Sequence, residues 1–126
     1  MRNQISSSKV GGWLITAFNL IKANGGQMHF KDFTSKMEKD LYFSEHEKGQ
    51  YSSGSVRWKT KLNYYSIACV KARWLKKNKS VWSLTPLGER ALEYSVKEFI
   101  DKMKSEYEDW DKNNKLPKTV QEEKRS

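Results

Sequence analysis

Between Lys48 and Gly88 the chain carries nine basic side chains, Lys48, Arg57, Lys59, Lys61, Lys71, Arg73, Lys76, Lys77 and Lys79, and not one Asp or Glu. The whole sequence holds 24 Lys and Arg against 15 Asp and Glu, so the remainder balances and the entire formal charge of +9 sits in this stretch. Charges of one sign gathered together repel each other and attract polyanions such as a nucleic-acid backbone. The chemistry on offer is non-covalent: cations on phosphate oxygens, with Arg or Asn hydrogen bonds to base edges.

Two groups of residues share that chemistry. Thr60, Asn63 and Tyr64 fall on or near the outer side of a predicted helix, flanked by Arg57, Lys61 and Lys71, with Lys59 on the same helix and Arg73 just beyond it. Arg57 and Lys61, one turn apart, are the leading backbone or base contacts, since Arg pairs with guanine and Asn with adenine through two hydrogen bonds. Lys76, Lys77 and Lys79 fall on a predicted hairpin, where they would reach backbone phosphate or a minor groove. The plainer alternatives are a solvated basic face on a structural helix and an edge ribbon that uses lysine to block strand-to-strand aggregation.

Covalent chemistry finds little footing. His29 and His46 are isolated, no Cys/His spacing suits zinc, and the single cysteine, Cys69, falls on an inward stripe. Glu122-Glu123-Lys124 mimics half of a nuclease motif, but no matching strand or metal-binding Asp accompanies it. Asp101, Glu106, Glu108, Asp109 and Asp111 read as a solvated face, and Leu116-Pro117-Lys118-Thr119 lacks the apolar stretch of a sorting signal. Neither a metal nor a cofactor is expected. Trp13, Trp58, Trp74 and Trp82 are expected in the core rather than stacked on a base. Tyr64 is the one aromatic not assigned there.

The elements that must position these residues follow from periodicity. Residues 1–9 read as a flexible lead-in, with Ser7 or Ser8 available as an N-cap. Trp13, Leu14, Ala17, Phe18 and Ile21 mark a first helix over Val10–Ala23, which Asn24-Gly25-Gly26 ends. A short strand near Gln27–Phe30 precedes a helix over Lys31–Lys39, and Ser44 to Glu47 fits a capping box. Serines in the loop 50–54 are expected to cap a third main helix over Ser55–Ala72, whose Trp58, Leu62, Tyr65 and Cys69 face inward. Ile67 falls on the other side, which predicts burial on two sides for that half of the helix. Trp74–Lys77 and Val81–Thr85 read as two strands joined at Asn78-Lys79-Ser80.

Thr85-Pro86 then opens a final helix, with Leu92, Val96, Phe99, Met103, Tyr107 and Trp110 along one seam. That seam either packs back on the first helix or pairs with a second copy. Residues 112–126 read as a charged, disordered tail. The domain is therefore 10–111, mainly α with a small β wing. Its order, helix-strand-helix-helix-hairpin-helix with an extended last helix, is that of a winged helix-turn-helix.

Arg57-Trp58-Lys59-Thr60-Lys61-Leu62, then Lys71-Ala72-Arg73-Trp74-Leu75, then Val81-Trp82-Ser83-Leu84-Thr85-Pro86-Leu87-Gly88 carry a further signal. Together and in this order they resemble the N-terminal winged-helix domain of Mrr-type restriction proteins, over roughly Trp13 to Leu92. That family shows a Trp-centred third helix, a Lys-Ala-Gly exit from it, and a Val-Trp strand leading through Leu-Thr to Gly. Arg73 stands where the family has glycine, so either a non-glycine residue adopts positive φ or the helix exits differently. Ser80 replaces the small residue before Val-Trp. The resemblance implies a DNA-targeting module normally attached to a separate nuclease domain, for which this chain has no room.

The combined expectation is a double-stranded-DNA-binding domain of a restriction or other defence system. It is expected to be non-enzymatic as it stands, to have a cytoplasmic location, and to form a homodimer through the last helix or remain a monomer. The alternatives are a free-standing winged-helix transcription regulator and a protein-interaction domain whose basic face binds an acidic partner. A membrane partner is disfavoured: no apolar run approaches the ~20 residues that cross a bilayer, and the basic stretch has no exposed apolar face.

Overall fold

In a computed structural model that describes residues 5–125, with side chains through residue 113, helix α1 (Ser7–Ala23) lies against most of the other elements. Ser6 rather than Ser7 or Ser8 caps it, with the Lys9 N–H donating to its side-chain oxygen at 3.2 Å. The helix therefore begins within the stretch expected to be a flexible lead-in, of which residues 1–4 lie outside the described part. Asn24 ends α1, and Gly25 and Gly26 follow at φ of 87° and 100°, a region that costs other residues steric energy.

Strand β1 (Gln27–His29) runs directly into α2 (Phe30–Asp40), whose Lys31 N–H donates to His29 Nδ1. The expected capping box is present: Ser44 and Glu47 exchange hydrogen bonds at the start of the single-turn helix α3 (Glu45–Lys48). The loop serines do not cap α4 (Arg57–Lys71). Ser53 and Ser55 bond each other, and Val56 holds the cap position without a side-chain bond, its backbone bridged to Gln50. Strands β2 (Leu75–Asn78) and β3 (Val81–Leu84) join through a two-residue turn, Lys79-Ser80, in which Lys79 has φ of 58°. β3 lies between β1 and β2 in a three-stranded antiparallel sheet. Met28 and Lys77 both flank Trp82 in register.

The single last helix expected from Thr85 onward is two helices. Thr85 caps α5 (Pro86–Ala91), and Ser95 and Glu98 form a second capping box that restarts the chain as α6 (Val96–Arg125). A Ser-x-x-Glu signature inside an apolar repeat is a start signal that the repeat obscures. α6 continues through the residues expected as a disordered tail. Its Phe99, Ile100 and Met103 are buried against α1 and α4, so Phe99 and Met103 of the apolar seam are used within the chain.

The result is a mainly helical domain with a small antiparallel sheet. Trp13, Trp58, Trp74 and Trp82 are all buried, as expected. Trp13 and Phe43 pack against Trp58, which stacks on Phe43 at 4.1 Å between ring centroids. Phe33 meets Trp82 at 4.8 Å, and Phe99 meets Trp74 at 4.9 Å. On α4, Trp58, Leu62 and Cys69 face inward as expected, Tyr65 is only half-buried, and Ser66 is buried beside them. Ile67 is 42% exposed, so the expected second buried side of α4 is absent there; it borders an open groove with Met103, Lys104 and Tyr107 of α6.

A set of backbone contacts locks the exit of α4 to the entry of α5. Arg73 takes φ of 67°, a non-glycine residue in the left-handed region, which turns the chain into β2. The Trp74 carbonyl accepts from the Thr85 N–H at 3.0 Å, and the Thr85 hydroxyl donates to the Arg73 carbonyl at 2.6 Å. Gly88 lies so close that a Cβ there would stand 2.1 Å from the Trp74 carbonyl oxygen. Only glycine fits.

Lys9 and Glu47 make a second tie, between α1 and α3. The Glu47 carboxylate is 3% exposed, accepts from the Ser44 N–H at 2.8 Å, and pairs with the Lys9 ammonium. Burial raises its pKa, but Lys9 and the bonds from Ser44 outweigh that and hold it below the usual carboxylate value.

Two stability predictions follow from these contacts. Gly88→Ala should lower unfolding free energy by about 2–3 kcal/mol through a backbone clash. Gly12→Ala, with nothing within 4 Å of the added Cβ, should raise it by up to about 1 kcal/mol, both read by urea denaturation. Because the folded pKa of Glu47 is depressed, its contribution is complete above the ordinary Glu range and disappears as pH falls through the lowered value. Glu47→Gln should flatten that acid limb of stability, measured by urea midpoints from neutral to acid pH.

Candidate nucleic-acid interface

The carboxylate-free stretch builds α4 and the β2–β3 hairpin in succession, and the fold sets one beside the other. Lys59, Thr60 and Asn63 from α4 and Lys77 and Lys79 from the hairpin line one open cleft of about 490 Å3, with Phe30, Ser80 and Trp82 also in its wall. Five of the sequence-predicted residues thus converge, although up to twenty positions separate them in the chain. The spacing explains the convergence. On α4, Lys59 and Asn63 are one turn apart on the flank facing the hairpin. On the hairpin, Lys77 pairs with Trp82 in register and points to the same face as that buried ring.

Lys77 is the link between the two elements. Its ammonium donates to Ser66 Oγ at 2.6 Å and to Asn63 Oδ1 at 3.0 Å, and lies 4.6 Å from the Trp82 ring centroid. Burial lowers its pKa, because removing water from an ammonium favours the neutral form. The Ser66 hydroxyl in turn donates to the Asn63 carbonyl at 2.6 Å, so this fully buried serine is satisfied. Ser66 was not among the expected site residues. Its signal was a lone hydroxyl on the inward stripe between Leu62 and Cys69, a position that needs a partner.

The Lys77 contact also fixes how Asn63 faces outward. An ammonium only donates, so the amide must turn its oxygen to Lys77 and its NH2 away. Adenine recognition by Asn needs both a donor and an acceptor on one edge. Oδ1 carries two lone pairs, so the two-bond pairing with adenine expected for Asn63 would have to share that oxygen with Lys77. Thr60 is more restricted, because its hydroxyl donates to the Val56 carbonyl at 2.9 Å and keeps only acceptor capacity.

The remaining candidates are dispersed. Arg57, expected to lead the contacts with Lys61, instead turns back on its own fold. Its Nη1 donates to the His46 carbonyl at 3.0 Å, its guanidinium lies 5.6 Å from the Tyr51 ring, and its backbone N–H reaches the Gly49 carbonyl. Arg57 is the clasp of the α3–α4 corner. The helical wheel could not show this, because the partner is a backbone carbonyl eleven residues away. Lys61 is half-exposed and outside the cleft, while Tyr64 is 67% exposed on the outer side, as expected. Lys76 is exposed on the opposite face of the hairpin from Lys77, since successive residues of a strand alternate. Lys59 pairs with Glu38 of α2 at 3.2 Å.

Lys71 and Arg73 lie at the far end of α4, in a separate cleft with Arg90, Lys102, Glu106 and Asp109. The Lys71 ammonium stands 4.1 Å from the Trp110 ring centroid. Carboxylates from α6 share that end and dilute the charge segregation of the sequence there, as Glu38 of α2 does at Lys59. Cys69 is fully buried against Met103, and burial pushes its thiol pKa up, which leaves the unreactive thiol form. No group of three or more His, Cys, Asp or Glu able to hold a metal occurs among the described residues, and no described helix is long and apolar enough to cross a membrane.

Scans against protein-family models, curated proteins and solved structures each return no match. The geometry makes Arg57 a structural residue. Arg57→Ala should cost about 1–2 kcal/mol of stability in urea denaturation, in keeping with a charged hydrogen bond and lost stem packing. Once the folded fraction is accounted for, duplex affinity should change less than on Lys79→Ala.

Proposed function

We propose that this chain is a winged-helix domain that binds double-stranded DNA, with the hairpin as its wing and α4 as its groove-facing helix. The observation that carries the reading is the single cleft lined by Lys59, Thr60, Asn63, Lys77 and Lys79, drawn from a stretch without one carboxylate. Cations from a helix and a ribbon held side by side offer a duplex backbone several phosphate contacts on one face. The exposed Tyr64 and the half-exposed Lys61 extend this face along α4.

The reading differs from the one the wheel suggested in which residues do the gripping. Lys77, Lys79 and Lys59 replace Arg57 as the principal cations, and Asn63 shares its acceptor oxygen with Lys77. Positive φ at Arg73 supports the resemblance to Mrr-type winged helices, because the chain there adopts the conformation that the family's glycine would favour. On that basis the domain serves as the DNA-targeting part of a restriction or defence protein and works with a nuclease domain.

Fluorescence anisotropy with a labelled duplex across a salt series tests the proposal. Four or five phosphate contacts should give a slope of about −4 in log affinity against log salt. Lys61→Ala with Lys79→Ala should weaken binding more than Lys102→Ala with Lys104→Ala on α6. Equal losses would remove the α4–hairpin face from the account, and absence of any duplex binding at low salt would favour an acidic protein as the partner.

A further inference from the structure

One wall of the cleft carries an ammonium without a counter-ion among the described residues. Lys77 is half-buried, and its two hydrogen-bond partners, Ser66 Oγ and Asn63 Oδ1, are both neutral. Among the described residues its ammonium forms no ion pair. Two of its three N–H groups are committed to those oxygens, which leaves one further donor. The Asn63 amide turns its oxygen to Lys77 and has both N–H donors of its NH2 still to offer. Lys79, exposed at the turn, forms no ion pair among the described residues either.

The first turn of α4 reinforces the same sign. Val56, Lys59 and Thr60 line the cleft, so the positive end of the helix opens onto it, and no side chain caps that end. The cleft thus presents donors from three directions and no carboxylate in its wall. Such a lining is poorly matched to a cation or a neutral sugar. It suits a tetrahedral oxyanion, whose several acceptors each need a donor.

We propose that the cleft between α4 and the hairpin is a discrete phosphate site, in which Lys77, Lys79 and the Asn63 amide NH2 hold one phosphate group. In the working complex that phosphate is a phosphodiester of the duplex backbone, so the inference deepens the DNA reading and rests on it only for the source of the phosphate. The site fixes register: one backbone phosphate seated at Lys77 sets how α4 lies against the duplex. A desolvated ammonium gains more from an anion than a solvated one does, which is the direction in which the lowered pKa of Lys77 points.

The test uses the full chain and inorganic phosphate as probe, followed by 1H–15N NMR, with sodium chloride at equal ionic strength as control. Phosphate should give saturable shifts at the Asn63 side-chain amide and at Lys79 and Ser80, and chloride should not. Lys77→Met should abolish them. Lys79→Met, which leaves the buried Ser66 bond untouched, should weaken them several-fold, and Lys76→Met on the opposite face should leave them unchanged. With a duplex, Lys77→Met should lower the salt slope by about one. Phosphate shifts no larger than those of chloride, or unaffected by Lys77→Met and Lys79→Met alike, overturn the site even if the protein binds duplex. Saturable phosphate binding in a protein that binds no duplex upholds the site and overturns the DNA reading instead.

Discussion

The close approach of Gly88 to the Trp74 carbonyl is the constraint on which the rest of this fold depends. It brings the start of α5 onto the exit of α4, and the β2–β3 hairpin must then lie between them. The Thr85 hydroxyl and N–H bond the Arg73 and Trp74 carbonyls, which would otherwise be left without partners as the chain leaves the helix. With both ends of the hairpin held, Leu75 and Trp82 fall into the core and Lys77 is carried to the flank of α4. The placement of the cations is thus a consequence of backbone packing some distance from them.

Electrostatics then acts on a scaffold already set. Holding several ammonium groups together without nearby carboxylates costs stability through mutual repulsion, and Lys77 adds a desolvation cost. The structure offsets the second with hydrogen bonds to Ser66 and Asn63 and with the face of Trp82. Other cations pair with carboxylates: Lys9 with Glu47, Lys97 with Asp101 and, in the cleft itself, Lys59 with Glu38. Among the described residues the hairpin lysines form no ion pair, which sets them apart from Lys59 in the same cleft.

Much of this was legible in the residue order. The glycines after Asn24, the Ser44–Glu47 capping box, the Thr85-Pro86 start and the four buried tryptophans all rest on local chemistry or simple periodicity, and each stands in the structure. What the sequence hid either depends on contacts between distant residues or was masked by an overlapping local pattern. Arg57 looked free on a helical wheel because its acceptor, the His46 carbonyl, belongs to another helix. Ser95 and Glu98 restart a helix inside what reads as one continuous apolar seam. Lys9 seemed part of a loose end because nothing nearby announced Glu47 as its partner. Of the candidate site, the sign and concentration of charge were visible. Which cations share a cleft was not, since strand alternation separates Lys76 from Lys77 and the length of α4 separates Lys71 from Lys59.

Lys79 sits at the hairpin tip with φ of 58°, a backbone shape in which a Cβ crowds the adjoining carbonyl and which glycine or asparagine adopts more easily. The turn is therefore held in a geometry its own residue resists, by a penalty of about 1 kcal/mol. A sequence tuned only for durability would relax this corner. Keeping a long cationic arm there instead marks the tip as a spot where robustness was given up for reach.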